Sequence, residues 1–287
     1  MSTAKIGVTG ATGQLGQKLI NQLKALVPAE QIVALVRTPE KAADLGVEVR
    51  AFDYTNPALI GKSLRGIERL VLISSNEVGQ RSVQHSNVIN AAKAAGVKYI
   101  VYTSLLHADT TTLDLAAEHL ETEAALAASG IAHTILRNGW YTENYTGSVP
   151  GWVGAGAVVG SAGEGKISSA SREDFALAAA KVVSGEGHEG KVYELAGDEA
   201  YTLADLAAEL SRQTGKEIPY KNLSKEEYTE ALKSWGVPAG FAGMIAGWDI
   251  GVANGDLFDD SKVLSNLIGR STTPFAKTVA AALEQVK

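Results

Sequence analysis

Cysteine is absent from the 287 residues, which excludes disulfides, thiolate metal sites and a cysteine nucleophile. No run of 18 apolar residues occurs, and no basic N-terminal stretch leads into an apolar one; nothing reads as a membrane span or an export signal. Clustered basic residues are missing too. The formal charge is −6 and the pI about 5.5, which argues against nucleic acid or an anionic membrane as the main partner. The histidines (His85, His107, His119, His133 and His188) are scattered without ligand spacing, so no metal is expected. There is no G-x-S-x-G, no H-E-x-x-H and no Gly-Lys-Ser/Thr after a glycine-rich turn. No tyrosine is followed four residues later by lysine.

What is present is apolar material for a core, 45% of residues against 20% charged, and one conspicuous glycine pattern. Thr9-Gly10-Ala11-Thr12-Gly13-Gln14-Leu15-Gly16 follows the apolar run Lys5–Val8 and precedes a helical spacing of Leu15, Leu19, Leu23 and Leu26. A strand, a tight turn and a helix in that order bring backbone amides and the positive end of a helix to a pyrophosphate. Gly10 makes the turn, Gly13 permits close approach and Gly16 lets the helix pack. The spacing is G-x-x-G-x-x-G rather than G-x-G-x-x-G.

Short runs rich in Val, Ile and Leu recur at Lys5–Thr9, Gln31–Arg37, Val47–Phe52, Arg69–Ser74, Tyr99–Thr103 and His133–Arg137. Helical segments alternate with them, at Gln14–Leu26, from Asn56-Pro57, at Gln80–Ala95 and at Leu113–Ala128. This rhythm predicts an α/β fold of Rossmann type, a doubly wound parallel sheet, with ligands at the carboxyl ends of the strands. Residues 1–150 are expected to form the dinucleotide-binding domain. Residues 151–287 are expected to form a smaller, mainly helical lobe, partly interleaved with the sheet. The stretch from Gly147 to Gly165 reads as a glycine-rich loop with a short strand near Ala157–Val159. Later helices start at Ser171, at Thr202, and at Ser224-Lys-Glu-Glu227, a capping box.

Arg37 ends the second run, where an acidic residue selects NAD and a basic one accommodates the 2′-phosphate of NADP. With Lys41 one turn on, the pattern predicts a preference for NADPH over NADH. The missing Tyr-x-x-x-Lys pair removes the usual acid of carbonyl reduction. In its place on the predicted helix, His119 and Glu123 fall at i and i+4, spaced to form a pair.

The glycine loop, Val36-Arg37, Leu72–Ser75, Tyr102–Ala108 and Leu136–Asn144, with later His188–Gly197 and Leu257–Lys262, resemble the NmrA-like atypical short-chain dehydrogenases, and within them the bacterial quinone-reducing branch. The resemblance implies a reductase that passes hydride from NADPH directly to a small-molecule quinone, without flavin or metal; the lack of an export signal or apolar span leads to the expectation that it is cytoplasmic. It implies coenzyme contacts from Gly10, Ala11, Thr12, Gly13, Gln14, Leu15, Arg37, Ser74, Ser75, Thr103, Ser104, Asn138, Gly139, Trp140 and Tyr141. Trp140, Tyr141, Asn144 and Tyr145 are candidate walls for a flat ring, and His119 and Tyr141 are the pocket candidates for a catalytic role. Other outcomes within the family are a non-catalytic NADP(H)-sensing regulator and a reductase of triphenylmethane dyes or activated ketones. The chain is expected as a monomer or homodimer.

Overall fold

The computed structural model describes residues 4–285. Its first half runs β1 (Lys5–Thr9), α1 (Gln14–Lys24), β2 (Ile32–Val36), β3 (Glu48–Ala51), α2 (Pro57–Ser63), β4 (Ile67–Leu72), α3 (Arg81–Ala95), β5 (Tyr99–Leu105), α4 (Ala116–Ser129) and β6 (Ala132–Asn138). The second half runs α5 (Thr142–Thr146), α6 (Val149–Ala155), β7 (Val158–Gly160), α7 (Arg172–Ser184), β8 (Val192–Leu195), α8 (Leu203–Thr214), β9 (Tyr220–Asn222), α9 (Lys225–Ser234), α10 (Ala239–Ala253), α11 (Val263–Ile268) and α12 (Phe275–Glu284).

Seven strands form one sheet in the order β3-β2-β1-β4-β5-β6-β8, and every pairing is parallel. Order reverses between β1 and β4, where a doubly wound sheet opens its ligand crevice. Strand residues alternate between two cores, as a sheet covered on both faces requires. Ala34 and Val36 join Leu19, Leu23 and Phe175 under α1 and α7. Val33 and Leu35 join Ile60, Val88 and Leu126 under α2, α3 and α4. Both α7 and β8 belong to this sheet layer although they lie beyond residue 150.

A third core holds the C-terminal lobe together, built from Tyr145, Trp152, Leu203, Leu206, Leu210 and Val279 among others. The two-stranded parallel pairing of β7 with β9 lies within this lobe. Thr202 with Asp205 and Ser224 with Glu227 close reciprocal capping boxes at the starts of α8 and α9. The segment expected as a loop after Gly147 folds instead into α6. Its glycines lower helix propensity, but burial of Val149 and Trp152 against the lobe core outweighs that cost. Strand β4 spans Ile67–Leu72 rather than Arg69–Ser74, which leaves Ser74 and Ser75 in the loop beyond it.

Candidate coenzyme cleft and aromatic cavity

Gly10 leaves β1 with φ +60°, a left-handed conformation that other residues adopt only at a cost. The Gly13 N–H then donates to the Gly10 carbonyl at 2.9 Å and closes the turn. A Cβ on Gly16 would sit 2.3 Å from that carbonyl oxygen and 2.7 Å from Ala11 Cα, so only glycine lets α1 seat this close. The N-terminus of α1 has no side-chain cap and no acidic residue in its first turn. Its free N–H groups and dipole therefore face the cleft uncompensated, as an anion site requires.

The cleft above this turn measures about 610 Å³. Gly10, Thr12, Gly13, Gln14 and Leu15 line it along the glycine turn, together with Arg37, Lys41, Ser74, Ser75 and Tyr141. Ala11 is fully buried beneath the turn. Thr103 supports the site from below, its Oγ1 accepting from the Ser74 N–H at 2.9 Å. Ser104 faces away, donating to Glu123 at 2.6 Å. Asn138, at the end of β6, is buried with neither Oδ1 nor Nδ2 partnered among the described residues. Gly139 packs against the Leu195 carbonyl.

Arg81, Gln84 and Arg172 also line the cleft, and sequence reasoning missed all three. Arg172 arrives from α7 and lies over the Tyr141 ring, its guanidinium carbon 4.4 Å from the centroid. Arg81 holds the Ser75 carbonyl at 2.7 Å. Their positions depend on contacts between remote segments, which no local spacing announces.

His119 and Glu123 take separate partners. Glu123 is clamped by Arg137, with Nη2 to Oε2 at 2.8 Å and Nε to Oε1 at 3.0 Å. His119 is buried, its Nδ1 2.7 Å from the Tyr102 hydroxyl, and it lines neither the cleft nor the cavity described next. Burial, reinforced by the Arg81 charge, lowers its pKa to about 3, so the ring is neutral near pH 7. His85 is likewise pushed down to about 4 by burial, and its Nε2 accepts the Ser75 N–H at 2.9 Å.

The chain crosses from the cleft into a second cavity in one step. Trp140, Asn144 and Tyr145 line a volume of about 750 Å³ in the C-terminal lobe, whereas Tyr141 lines the cleft alone. Backbone bonds fix this partition: the Trp140 carbonyl accepts from the Ala170 N–H at 3.1 Å, and the Thr142 N–H donates to the Ala170 carbonyl at 2.9 Å. The cavity is aromatic. Trp140 meets Trp248 edge to face at 5.5 Å, and Trp248 meets Phe241 in the same way at 5.8 Å. One carboxylate, Asp249 of α10, lies in its wall, 7% exposed. Asp249 is the single charge in a helix otherwise reading Ala-Gly-Phe-Ala-Gly-Met-Ile-Ala-Gly-Trp before it and Ile-Gly-Val-Ala after it. A lone acid in so apolar a helix was the sequence signal for it. Among the described residues no cluster of three or more His, Asp or Glu is placed to hold a metal ion, and no helix is long and apolar enough to cross a membrane.

The profile of the NAD(P)H-binding family matches residues 10–186. Quinone oxidoreductase 2 of Escherichia coli strain K12 is 59% identical over 278 residues, which cover 96% of this chain and 97% of that protein. The crystal structure of an NADPH-dependent quinone oxidoreductase from Escherichia coli, complexed with NADPH, superposes with a TM-score of 0.95 at 58% identity, covering 97% of this chain and 99% of that one. The Citrobacter triphenylmethane reductase complexed with NADP(H) superposes with a TM-score of 0.93 at 41% identity, covering 97% and 100%.

Proposed function

The chain belongs to the NAD(P)H-binding family, and we propose that it is an NADPH-dependent quinone oxidoreductase that works without flavin. The observation that carries this reading is the junction at Trp140 and Tyr141, where a dinucleotide-sized cleft and a flat-walled aromatic cavity share one strip of backbone. A reduced nicotinamide bound in the cleft supplies the hydride. Thr12, Gln14 and Leu15 offer amides to the pyrophosphate, and Arg37 with Lys41 offers positive charge to a ribose 2′-phosphate. Ser74, Ser75 and Tyr141 flank the nicotinamide half, and the unpartnered Asn138 amide supplies a donor and an acceptor there.

Trp140, Asn144 and Tyr145 bound the acceptor. Aromatic faces suit a quinone ring and exclude water around it. A hydroquinone anion is far less basic than an alkoxide, so the site needs no strong acid, in keeping with the missing Tyr-x-x-x-Lys pair and the neutral, sequestered His119. The protein's contribution is then chiefly proximity and orientation, worth several kcal/mol. The test is loss of NADPH absorbance with and without a simple naphthoquinone. Quinone-dependent oxidation is expected; tight NADPH binding with no turnover on any acceptor would instead make the chain a coenzyme sensor.

A further inference from the structure

The aromatic cavity has one carboxyl group in its wall and no basic side chain, and the fold builds a seat for that carboxyl. Asp249 Oδ2 accepts the Ser161 N–H at 2.7 Å, just where the chain leaves β7. A Cβ on Gly160, the last residue of that strand, would lie 2.8 Å from the same oxygen, so glycine is what lets β7 come this close. Asp249 Oδ1 takes no hydrogen bond among the described residues. Whenever the group is protonated, its proton therefore sits on Oδ1, because Oδ2 is engaged as an acceptor. The carboxyl also stands among the residues expected to bound the ring. Trp248, the residue before it in α10, meets Trp140 edge to face at 5.5 Å, and the Asp249 charge is felt at the Tyr145 hydroxyl.

We propose that Asp249 is the general acid of quinone reduction, passing the proton on Oδ1 to a quinone oxygen as the hydride arrives. The proposal rests on the cavity's being the acceptor site of the reductase. The hydride carries two electrons and one hydrogen to the quinone, and the nicotinamide is left oxidised. The immediate product is a hydroquinone monoanion. One proton from Asp249 completes the hydroquinone, and the carboxylate recovers a proton from water once the product has left. The need for a donor follows from the walls. Aromatic faces exclude the water that would otherwise meet the developing oxyanion, and unmet negative charge in such a place is costly. The supply follows from burial, which raises the Asp249 pKa to about 6. A phenolic oxygen has a pKa of about 10, so the transfer runs downhill from a weak acid. An acid that titrates near the working pH is also the effective kind.

The groups that face Asp249 from other elements are poorer donors. Tyr145 from α5, Tyr220 from β9 and Tyr228 from α9 have hydroxyls pushed up by burial and by the Asp249 charge, and hold their protons. No cationic side chain forms an ion pair with Asp249 among the described residues. Lys225 of α9 approaches α10 at Gly247 and Asp256 approaches it at Gly251, while Asp114 accepts from Trp248 Nε1 at 2.9 Å.

The experiment is steady-state reduction of a simple naphthoquinone by the full chain at saturating NADPH, between about pH 5 and about pH 8, for the unmodified enzyme and for Asp249→Asn. The unmodified kcat is expected to be level below about 6 and to fall about tenfold per pH unit above it. Asparagine keeps an acceptor for the Ser161 N–H but has no acid proton to give. The variant's kcat should drop about a hundredfold on the acid plateau and lose its pH dependence, while the quinone KM and the NADPH affinity hold. Should that variant fold poorly, the unmodified chain still decides, through its pH profile and through a lower plateau kcat in heavy water. An undiminished kcat in Asp249→Asn, a variant whose rate still falls as pH rises through about 6, or an unmodified enzyme whose kcat ignores pH would each overturn the proposal. Absence of quinone reduction at every pH would overturn the preceding reading and this one with it, whereas turnover without the pH slope overturns this one alone.

Discussion

Arg37 reaches across the mouth of the coenzyme cleft to Glu77, with Nη1 3.2 Å from Oε1, while the other Glu77 oxygen accepts from Gln84 Nε2 at 2.7 Å. Both members of the ion pair are exposed, so the pair itself contributes no more than about 1 kcal/mol. Its weight lies in competition. The guanidinium offered to a 2′-phosphate is already engaged by a carboxylate, which the incoming phosphate must displace and then tolerate. Glu77→Gln should therefore tighten NADPH binding by roughly two- to fivefold and leave NADH unchanged. Calorimetry with both coenzymes checks it, and weaker NADPH binding in the variant would make Glu77 part of the site.

Arg37→Ala should act in the opposite direction. Loss of a charge-assisted bond of about 1.5–3 kcal/mol lowers NADPH affinity by about 10- to 150-fold and abolishes most discrimination between the coenzymes. The ratio of kcat/KM for NADPH and NADH measures this, and an unchanged ratio refutes the assignment.

Trp140 and Tyr141 should separate cleanly in kinetics. Trp140→Ala opens the aromatic cavity and should raise the quinone KM while coenzyme affinity holds. Tyr141→Ala removes the ring beneath Arg172 in the cleft and should weaken coenzyme binding. A variant at Tyr141 that changed only the quinone KM would place that ring with the acceptor after all.

Asp249 sets a stability test with a definite sign. Its pKa is raised to about 6 by burial, against about 3.9 in the unfolded chain. The folded protein holds that proton more tightly, so the stabilisation is full below the unfolded value and is lost as pH rises through about 6. Asp249→Asn should consequently raise the melting temperature at about pH 8, by an amount corresponding to on the order of 2–3 kcal/mol, and leave it nearly unchanged at about pH 4. His85 and His119 work the other way. Their lowered values mean that stability present above about pH 6.5 is lost as pH falls toward 4, and His85→Gln should blunt that acid loss.

The first crossover was legible because its determinants are local: an apolar run, glycines at fixed spacing and a leucine periodicity lie within a short stretch of chain. Most strands read from the first half were legible because they are buried on both faces and show as dense apolar runs; β3, half-buried at the sheet edge and carrying Glu48 and Arg50, owed its legibility to the rhythm of its neighbours. Helix α6 was not, since its glycines speak against a helix until the buried Trp152 side chain is weighed. The cleft residues Arg81, Gln84 and Arg172 were hidden for a different reason, as they arrive through contacts between distant parts of the chain. Tyr141 and Trp140 look interchangeable as neighbouring aromatics, yet the extended backbone at Tyr141, φ −75° and ψ 130°, turns successive side chains into different rooms.

That strip of backbone, hung on Ala170, also divides the molecule's two cavities by the elements that build them. The glycine-turn cleft sits on the sheet, whereas most of the aromatic cavity comes from α5, α6, α9 and α10. Mutations in those helices can reshape or recharge the chamber without disturbing a single amide of the dinucleotide cradle. On the proposed reading, the party wall lets acceptor choice be re-engineered separately from coenzyme use.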